Sequence, residues 1–553
     1  MPSSADGRAL RVGLVLAAAY LAAALHGLGA ADVVGDDEAR EVGIVQEIVR
    51  GHWLLPVFND ELLPDKPILF HWLAAVPCAA LGFSEAAVRL PSALAGAGIV
   101  GVTAAIGVGM LGTPAGIVAA GLVATMPSLF THARVARPDA LLVLLLTAAL
   151  GLAFRWWRDQ RARDATAALV VLGLAILAKG PVAPALFGLT LGAFLLWQRD
   201  LRRLPHLLTP TGLFALLLLG LGWYAVALGG WGERFVTEHL VGRYVRNLAG
   251  GLVEGRAYSA KPLRYHLLFY VQHLPAVALP WTPLVAMALW RAARERRFAD
   301  PRVRFLVCWA LAPVVAFTPA EWKLRYYLLP ALPALALLAA PLATDLLQQT
   351  ARRRGLGRAR PAAVGGALLL VGGVLVALTR PDLLSESDRA TVDAILPLLP
   401  GGARGLATAA GIALGVATGA VLLWSWPALL GAVAAGTIAW MALGTPLVEQ
   451  ATSRRASLRE FAEQVGAGWP EPAPLVFLGP TMRPVVVYAG RPIQPAARLR
   501  TLAPGTAVIA TEAAWERAHD AARLGPAVLA AEGRVANLER AHVVLAEVPG
   551  PAH

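Results

Sequence analysis

Uncharged apolar stretches of about 20 residues recur along most of this chain. A stretch that long needs an apolar surrounding over its whole length. When many of them follow one another, no soluble core is large enough to hide them all, and lipid must be the solvent. Composition agrees. Of 553 residues, 57% are hydrophobic and only 15% are charged, whereas a soluble protein is about a quarter charged. The chain therefore reads as an all-α polytopic membrane protein.

The formal net charge is +13. In a soluble protein that balance would raise nucleic acid as a partner. Here the arginines sit in short loops between apolar runs, which is how topology is encoded. Base-reading elements and basic tails are absent, so no nucleic-acid partner is expected. Cys78 and Cys308 both lie in apolar segments without Cys/His ligand spacing, which argues against a structural zinc site. The run Val12 to Ala31 follows Arg8 and Arg11. It is too long for a signal-peptide core and lacks a convincing cleavage site, so it reads as the first span.

About thirteen spans are expected, near 10–31, 85–111, 114–132, 138–155, 165–179, 181–197, 208–230, 265–290, 304–319, 326–348, 362–379, 406–424 and 427–446. The loops alternate in charge. Arg155–Asp164, Gln198–His206, Arg291–Arg304 and Ala351–Arg360 are strongly basic and read as cytoplasmic. Asp32–Lys66, Trp231–Arg264, Pro319–Arg325 and Arg380–Arg404 then face outward. An odd number of spans places everything after about residue 447 outside as well. That tail differs in kind. SLREFAEQVG and AAWERAHDAARLG read as helices, and PLVFLG, PVVVYAG, TAVIAT and HVVLAEV as short strands. The expected organisation is a transmembrane region, 1–447, with outer loops 32–84 and 231–264, followed by a small extracytoplasmic α/β domain, 448–553.

Charges at the membrane edge are costly and are candidates for function. The outward loops hold most of them. Asp36, Asp37 and Glu38 follow the first span directly, and the stretch Glu38 to Arg50 has apolar residues at near-helical spacing, as a helix on the membrane surface would. Asp65, Lys66 and Pro67 precede a stretch carrying Phe70, His71 and Trp72. The segment HARVARPDALL brings Arg134, Arg137 and Asp139 to the same face. Lys179 interrupts an apolar run at that edge, and EWKLRYYLLP adds Lys323, Arg325, Tyr326 and Tyr327. Each feature also has a plain explanation. Aspartates cap helices, Pro and Asp open them, lysines snorkel, and an isolated ion pair on a surface contributes little. What they leave unexplained is the gathering of carboxylates and separate cations on one face. Carboxylates suit activation of a hydroxyl, and Lys and Arg suit a phosphate leaving group.

These residues also carry a family resemblance. The segment DDEAREVGIVQEIVRGHWLLPVFNDELLPDKPILFHWL, followed by EAAVRLPSAL, resembles the opening of the bacterial GT-C glycosyltransferases. That family includes the lipid A aminoarabinose transferase and relatives of the protein O-mannosyltransferases. The matching elements are Asp37-Glu38, Gly51-His52-Trp53, Asp65-Lys66-Pro67 and Arg89-Leu90-Pro91-Ser92. The series continues through ARPDALL, LAKGPVA, EHLVGRY from Glu238 and KLRYYLLPALPALALL from Lys323, covering roughly the first 340 residues in order.

The resemblance implies a GT-C fold and a polyprenyl-phosphate-linked sugar as donor. The acceptor would be an extracytoplasmic lipid, glycan or protein, and the setting the inner membrane. It implies Asp37 as the catalytic carboxylate, with Glu38 beside it and Asp139 as the second membrane-edge aspartate. Lys66, Lys179, Lys323, Arg325 and Tyr327 would line the donor phosphate, and Arg40, Arg137 and Glu238 the substrates. The residues call for no cofactor, while the resemblance points to a divalent metal ion at Asp65 and His239. Two departures stand out. Family members often have an aromatic residue where this chain has Glu41, and a carboxylate where it has Gly43. A secondary transporter would also combine many spans with intramembrane charge, but would place the charge near the midplane, with internal repeats. A lipid-glycan ligase handles similar substrates and stays open.

Overall fold

The computed structural model describes residues 4–63, 66–237, 263–320, 323–348, 426–479, 481–496, 501–520, 523–533 and 541–549. It is a bundle of long apolar helices capped at one end by shorter helices and a small sheet. Six described helices are long and apolar enough to cross a bilayer: Gly7–Leu25, Glu85–Leu111, Asp139–Asp159, Pro210–Trp231, Arg325–Gln348 and Leu430–Ala456. The expected spans 362–379 and 406–424 lie outside the described residues.

The early elements run α1 (Ser4–Leu25), α2 (Asp36–Val49), a hairpin of β1 (Val57–Phe58) and β2 (Glu61–Leu62), α3 (Leu69–Leu81) and α4 (Glu85–Leu111). Ser84 starts α4 by accepting a hydrogen bond from the Ala87 N–H at 3.2 Å. The expected span 114–132 is broken into α5 (Thr113–Ala124) and α6 (Pro127–His132). Pro127 lacks the N–H that would continue the helical ladder, and the Thr125 hydroxyl at the break accepts from the Trp281 indole at 2.8 Å.

Two helices then fold back on each other, α7 (Asp139–Asp159) and α8 (Ala162–Lys179). Because the pair is antiparallel, the first residue of α7 lies beside the last residue of α8. The other end of the hairpin is tied by Arg155 to Asp164 at 2.5 Å. Gly180 terminates α8 with φ +73°, a conformation glycine adopts without a Cβ clash.

The expected single span 265–290 is instead two helices, Leu263–Val277 and Thr282–Arg294, meeting at 109°. Prolines 275, 280 and 283 crowd the junction and remove the N–H groups a straight helix would need.

In the tail, five strands form one mixed sheet. They are β3 (Leu475–Leu478), β4 (Gln494–Pro495), β5 (Ala507–Thr511), β6 (Ala527–Gly533) and β7 (Ala541–Glu547), in the order β4-β3-β5-β7-β6. Strand β3 runs parallel to β4 and β5, while β7 is antiparallel to β5 and β6. The run PVVVYAG, expected as a strand, is a helix, Arg483–Ala489. Pro484 suits a first helical turn, and Val485 and Val487 are buried; packing here outweighs the β-preference of valine.

Helix α2 is not left on a lipid surface. Its Ala39, Val42, Val45 and Ile48 share a core with Phe461, Val465, Val485 and Phe477 of the tail. Gly43 lets the Phe58 ring lie against α2, since a Cβ there would meet the ring at 2.4 Å. The hairpin is clasped in turn. Asn59 Nδ2 donates to the Ile493 carbonyl at 2.9 Å, and Ile493 N–H donates to Asn59 Oδ1 at 2.6 Å.

Candidate active site

Helix α2 begins with three carboxylates behind Gly35, where its dipole favours negative charge. The three have different surroundings. Asp36 pairs with Arg483 of the tail. Glu38 turns inward. It accepts from Arg89 Nε at 2.8 Å and Nη2 at 3.3 Å, and from the Ala136 N–H at 2.9 Å. Arg89 also donates to the Leu28 and Ala31 carbonyls at 3.0 and 2.7 Å. Asp37 alone stays open, with 46% of its side chain exposed.

Two arginines flank Asp37. Arg40 Nη2 is 3.3 Å from one oxygen and Arg137 Nη2 is 3.3 Å from the other. Each arginine leads on to a buried carboxylate. On one side Arg40 reaches Glu41 at 2.9 Å, and Glu41 also binds Lys66. On the other side Arg137 lies 3.3 Å from Asp139, and Asp139 binds Lys179. The order is Lys66, Glu41, Arg40, Asp37, Arg137, Asp139, Lys179, with alternating sign throughout. Among the described residues, four cations and three carboxylates make up the series.

Glu41 is fully buried. Burial is the largest single influence on its carboxyl and acts to raise its pKa, but Lys66, Arg40 and His71 together hold it well below the usual carboxylate range. It stays ionised at neutral pH.

Tyrosines floor the Asp139 side. Arg137 Nη2 donates to the Tyr326 hydroxyl at 2.5 Å, and its guanidinium stacks 4.4 Å from that ring. The Lys179 ammonium is 5.7 and 5.6 Å from the Tyr326 and Tyr327 ring centres.

Of the residues expected at the site, Asp37, Arg40, Lys66, Arg137, Asp139, Lys179 and Tyr327 come together. Lys323 turns aside. Its ammonium donates to the Phe317, Thr318 and Ala320 carbonyls at 3.3, 2.5 and 2.7 Å and lies over Tyr270. Arg325 is exposed and makes no ion pair among the described residues. Asp65, Glu238 and His239 lie outside the described residues. Among the described residues, no three His, Cys, Asp or Glu side chains group as metal ligands.

Sequence reasoning missed the parts played by Glu41, His71, Arg89 and Tyr326. A signal for Glu41 was present. Glu38, Glu41, Val45 and Ile48 fall at helical spacing on one face, so two carboxylates occupy a stripe meant for burial.

Comparison with known proteins bears on this arrangement. A family model described as dolichyl-phosphate-mannose-protein mannosyltransferase matches residues 65–223. Two curated relatives are named undecaprenyl phosphate-alpha-4-amino-4-deoxy-L-arabinose arabinosyl transferase. That of Shewanella sediminis is 30% identical over 57% of this chain and 56% of its own length. That of Yersinia enterocolitica is 28% identical over 62% and 60%. The matches thus span somewhat over half of these relatives. The crystal structure of ArnT from Cupriavidus metallidurans bound to undecaprenyl phosphate superposes with a TM-score of 0.76, covering 97% of this chain and 99% of that one, at 20% identity. The fold is therefore that of the GT-C membrane glycosyltransferases, on a multi-pass membrane protein. In sequence the chain resembles the aminoarabinose transferases.

Proposed function

We propose that this protein is a membrane glycosyltransferase that moves a sugar from a polyprenyl-phosphate donor to an acceptor outside the membrane. The observation that carries the reading is Asp37. It is the one exposed carboxylate in a chain of buried, paired charges, and cations stand on both sides of it. The likeness to transferases named for undecaprenyl phosphate-linked aminoarabinose supports a donor of the same class.

In this reading the acceptor hydroxyl lies against Asp37, which orients it and takes its proton. The acceptor oxygen forms a bond to the anomeric carbon of the sugar. The bond from that carbon to the phosphate oxygen breaks, and polyprenyl phosphate departs with the electron pair. A single displacement inverts the anomeric centre. The donor phosphodiester carries one negative charge, which the cations of the site suit. As a second negative charge grows on the leaving phosphate, Lys66, Lys179 and the arginines beside Asp37 offset it. Tyr327 lies beside Lys179, and Lys323 and Arg325 stand on the adjoining segment. Glu38 serves as an anchor for α2.

Residues 1–447 would hold the catalytic bundle and 448–553 the outer domain, both presenting the site to the periplasmic side. The acceptor class is a lipid, glycan or protein. The test is release of sugar from a panel of radiolabelled undecaprenyl-phosphate sugars by purified protein in detergent, with membrane extract as acceptor source. Turnover of one donor that disappears in Asp37→Asn supports the reading. No turnover of any donor by folded protein overturns it.

A further inference from the structure

Glu41 has no role in the mechanism above, yet it is the most heavily bonded carboxylate of the site. One oxygen, Oε1, accepts from Arg40 Nη2 at 2.9 Å and Nε at 3.3 Å and also binds the Lys66 ammonium. The other, Oε2, is 2.7 Å from His71 Nε2. His71 is fully buried on α3, and its Nδ1 has no hydrogen-bond partner among the described residues. A ring with its proton on Nε2 donates to the carboxylate in this geometry. Glu41 is thus held from α2, from the segment at Lys66 and from α3.

Two cations gathered on one carboxylate oxygen is an arrangement with a purpose. Left alone, Arg40 and Lys66 would repel each other, and the lysine stem would sample many rotamers. Glu41 removes the repulsion and fixes both heads before any ligand arrives. Preorganised donors lose less on binding than donors that must be gathered.

We propose that Glu41, oriented by His71, is a positioning residue that sets Arg40 and Lys66 for the phosphate of the lipid donor. The proposal rests on the transferase reading above. It concerns how the phosphate is held, so its signature is in the donor KM and in undecaprenyl phosphate binding. Arg40 also touches Asp37 and both cations meet the leaving phosphate, so kcat falls as well, and the direct measure is the affinity for undecaprenyl phosphate.

The experiment measures donor and acceptor KM and kcat for wild type, E41D, E41Q, H71L and H71Q, with competition by undecaprenyl phosphate as a direct binding readout. In E41Q the donor KM and the undecaprenyl phosphate inhibition constant should both rise about ten-fold, the usual worth of a charge-assisted hydrogen bond, with the acceptor KM within about two-fold. E41D keeps the charge on a shorter stem and should show a smaller rise in the same two constants. H71L removes the hydrogen bond to Oε2 while keeping Glu41, Arg40 and Lys66, and should also raise donor KM, while H71Q, which retains a donor at the same reach, should restore it. This pair serves should E41Q not fold. A donor KM unchanged in E41D and H71L overturns the proposal, as does a fall in kcat with donor KM unchanged. Absence of donor turnover in the wild type overturns this proposal and the transferase reading together. Wild-type turnover with unaltered variants overturns the proposal alone.

Discussion

Glu38 and Arg89 are 51 residues apart in sequence, and the Glu38 carboxylate meets the Arg89 guanidinium through both of its oxygens. Only 6% of the Arg89 side chain and 10% of the Glu38 side chain are exposed. This pair fixes where α2 enters, and so where the neighbouring Asp37 points. Removing one member of such a pair strands the other in a dry setting. Glu38→Gln should therefore lower stability by about 3–5 kcal/mol. Thermal unfolding in detergent checks this, with the loss of activity following the loss of folded protein.

Asp37→Asn should behave differently. Half-exposed and lightly paired, Asp37 contributes little to folding, and the melting temperature should stay close to wild type. Turnover should fall by about 10²–10⁴-fold, the range for a lost acid–base group. Single-turnover kinetics beside a melting curve separates the two effects.

Lys179 and Asp139 join the ends of α7 and α8 at the site. Lys179→Met would leave the Asp139 carboxylate, 3% exposed, with Arg137 as its remaining charged neighbour. Donor KM should rise about ten-fold or more, with a stability loss beside it. Lys179→Arg keeps the charge, and should recover stability better than it recovers donor affinity, because the planar fork does not match the ammonium position. Paired melting and donor-titration curves test the split.

Glu41 also predicts a pH profile. Its carboxyl is held below the ordinary carboxylate range in the folded chain. A group with a depressed folded pKa stabilises the fold above its unfolded pKa, about 4.3 for glutamate, and that contribution fades as pH falls through the lower folded value. The melting-temperature gap between wild type and E41Q should be constant from about pH 5 to 8 and close below about pH 4. A gap that narrows between pH 8 and 6 would contradict this assignment.

The contacts with the tail should be unequal. Asn59→Ala removes both hydrogen bonds to Ile493 in a buried place and should cost about 2–3 kcal/mol. Arg483→Ala breaks a half-exposed pair with Asp36 and should cost about 0–1 kcal/mol. Limited proteolysis of the tail reports on both.

Much of this was legible from the amino-acid order because bilayer thickness sets a length that charge and hydropathy reveal directly. The span from Glu85 to Leu111 falls where that rule places it. Asp37, Asp139 and Lys179 stood out because charge at a membrane edge is rare. What escaped depends on contact between distant segments. The 109° bend after Val277 and the helix over Val485–Val487 follow from local proline and from packing, and hydropathy sees neither. The pairing of Glu41 with Lys66 and His71 needs the hairpin and α3 folded back over α2. As a sequence feature, Glu41 looked only like a missing aromatic.

The Asn59 clasp has a consequence for the order of assembly. Its partner Ile493 lies 434 residues further along the chain. During synthesis the loop after α1 is therefore made long before the surface that seats it exists. Until the tail arrives, α2 lacks the apolar cover supplied by Phe461, Val465 and Val485. The loop that carries Asp37 and leads to Lys66 reaches its final setting only when the last part of the chain has been made, so a prematurely halted copy would have its apolar helices but not the assembled series of charges around Asp37.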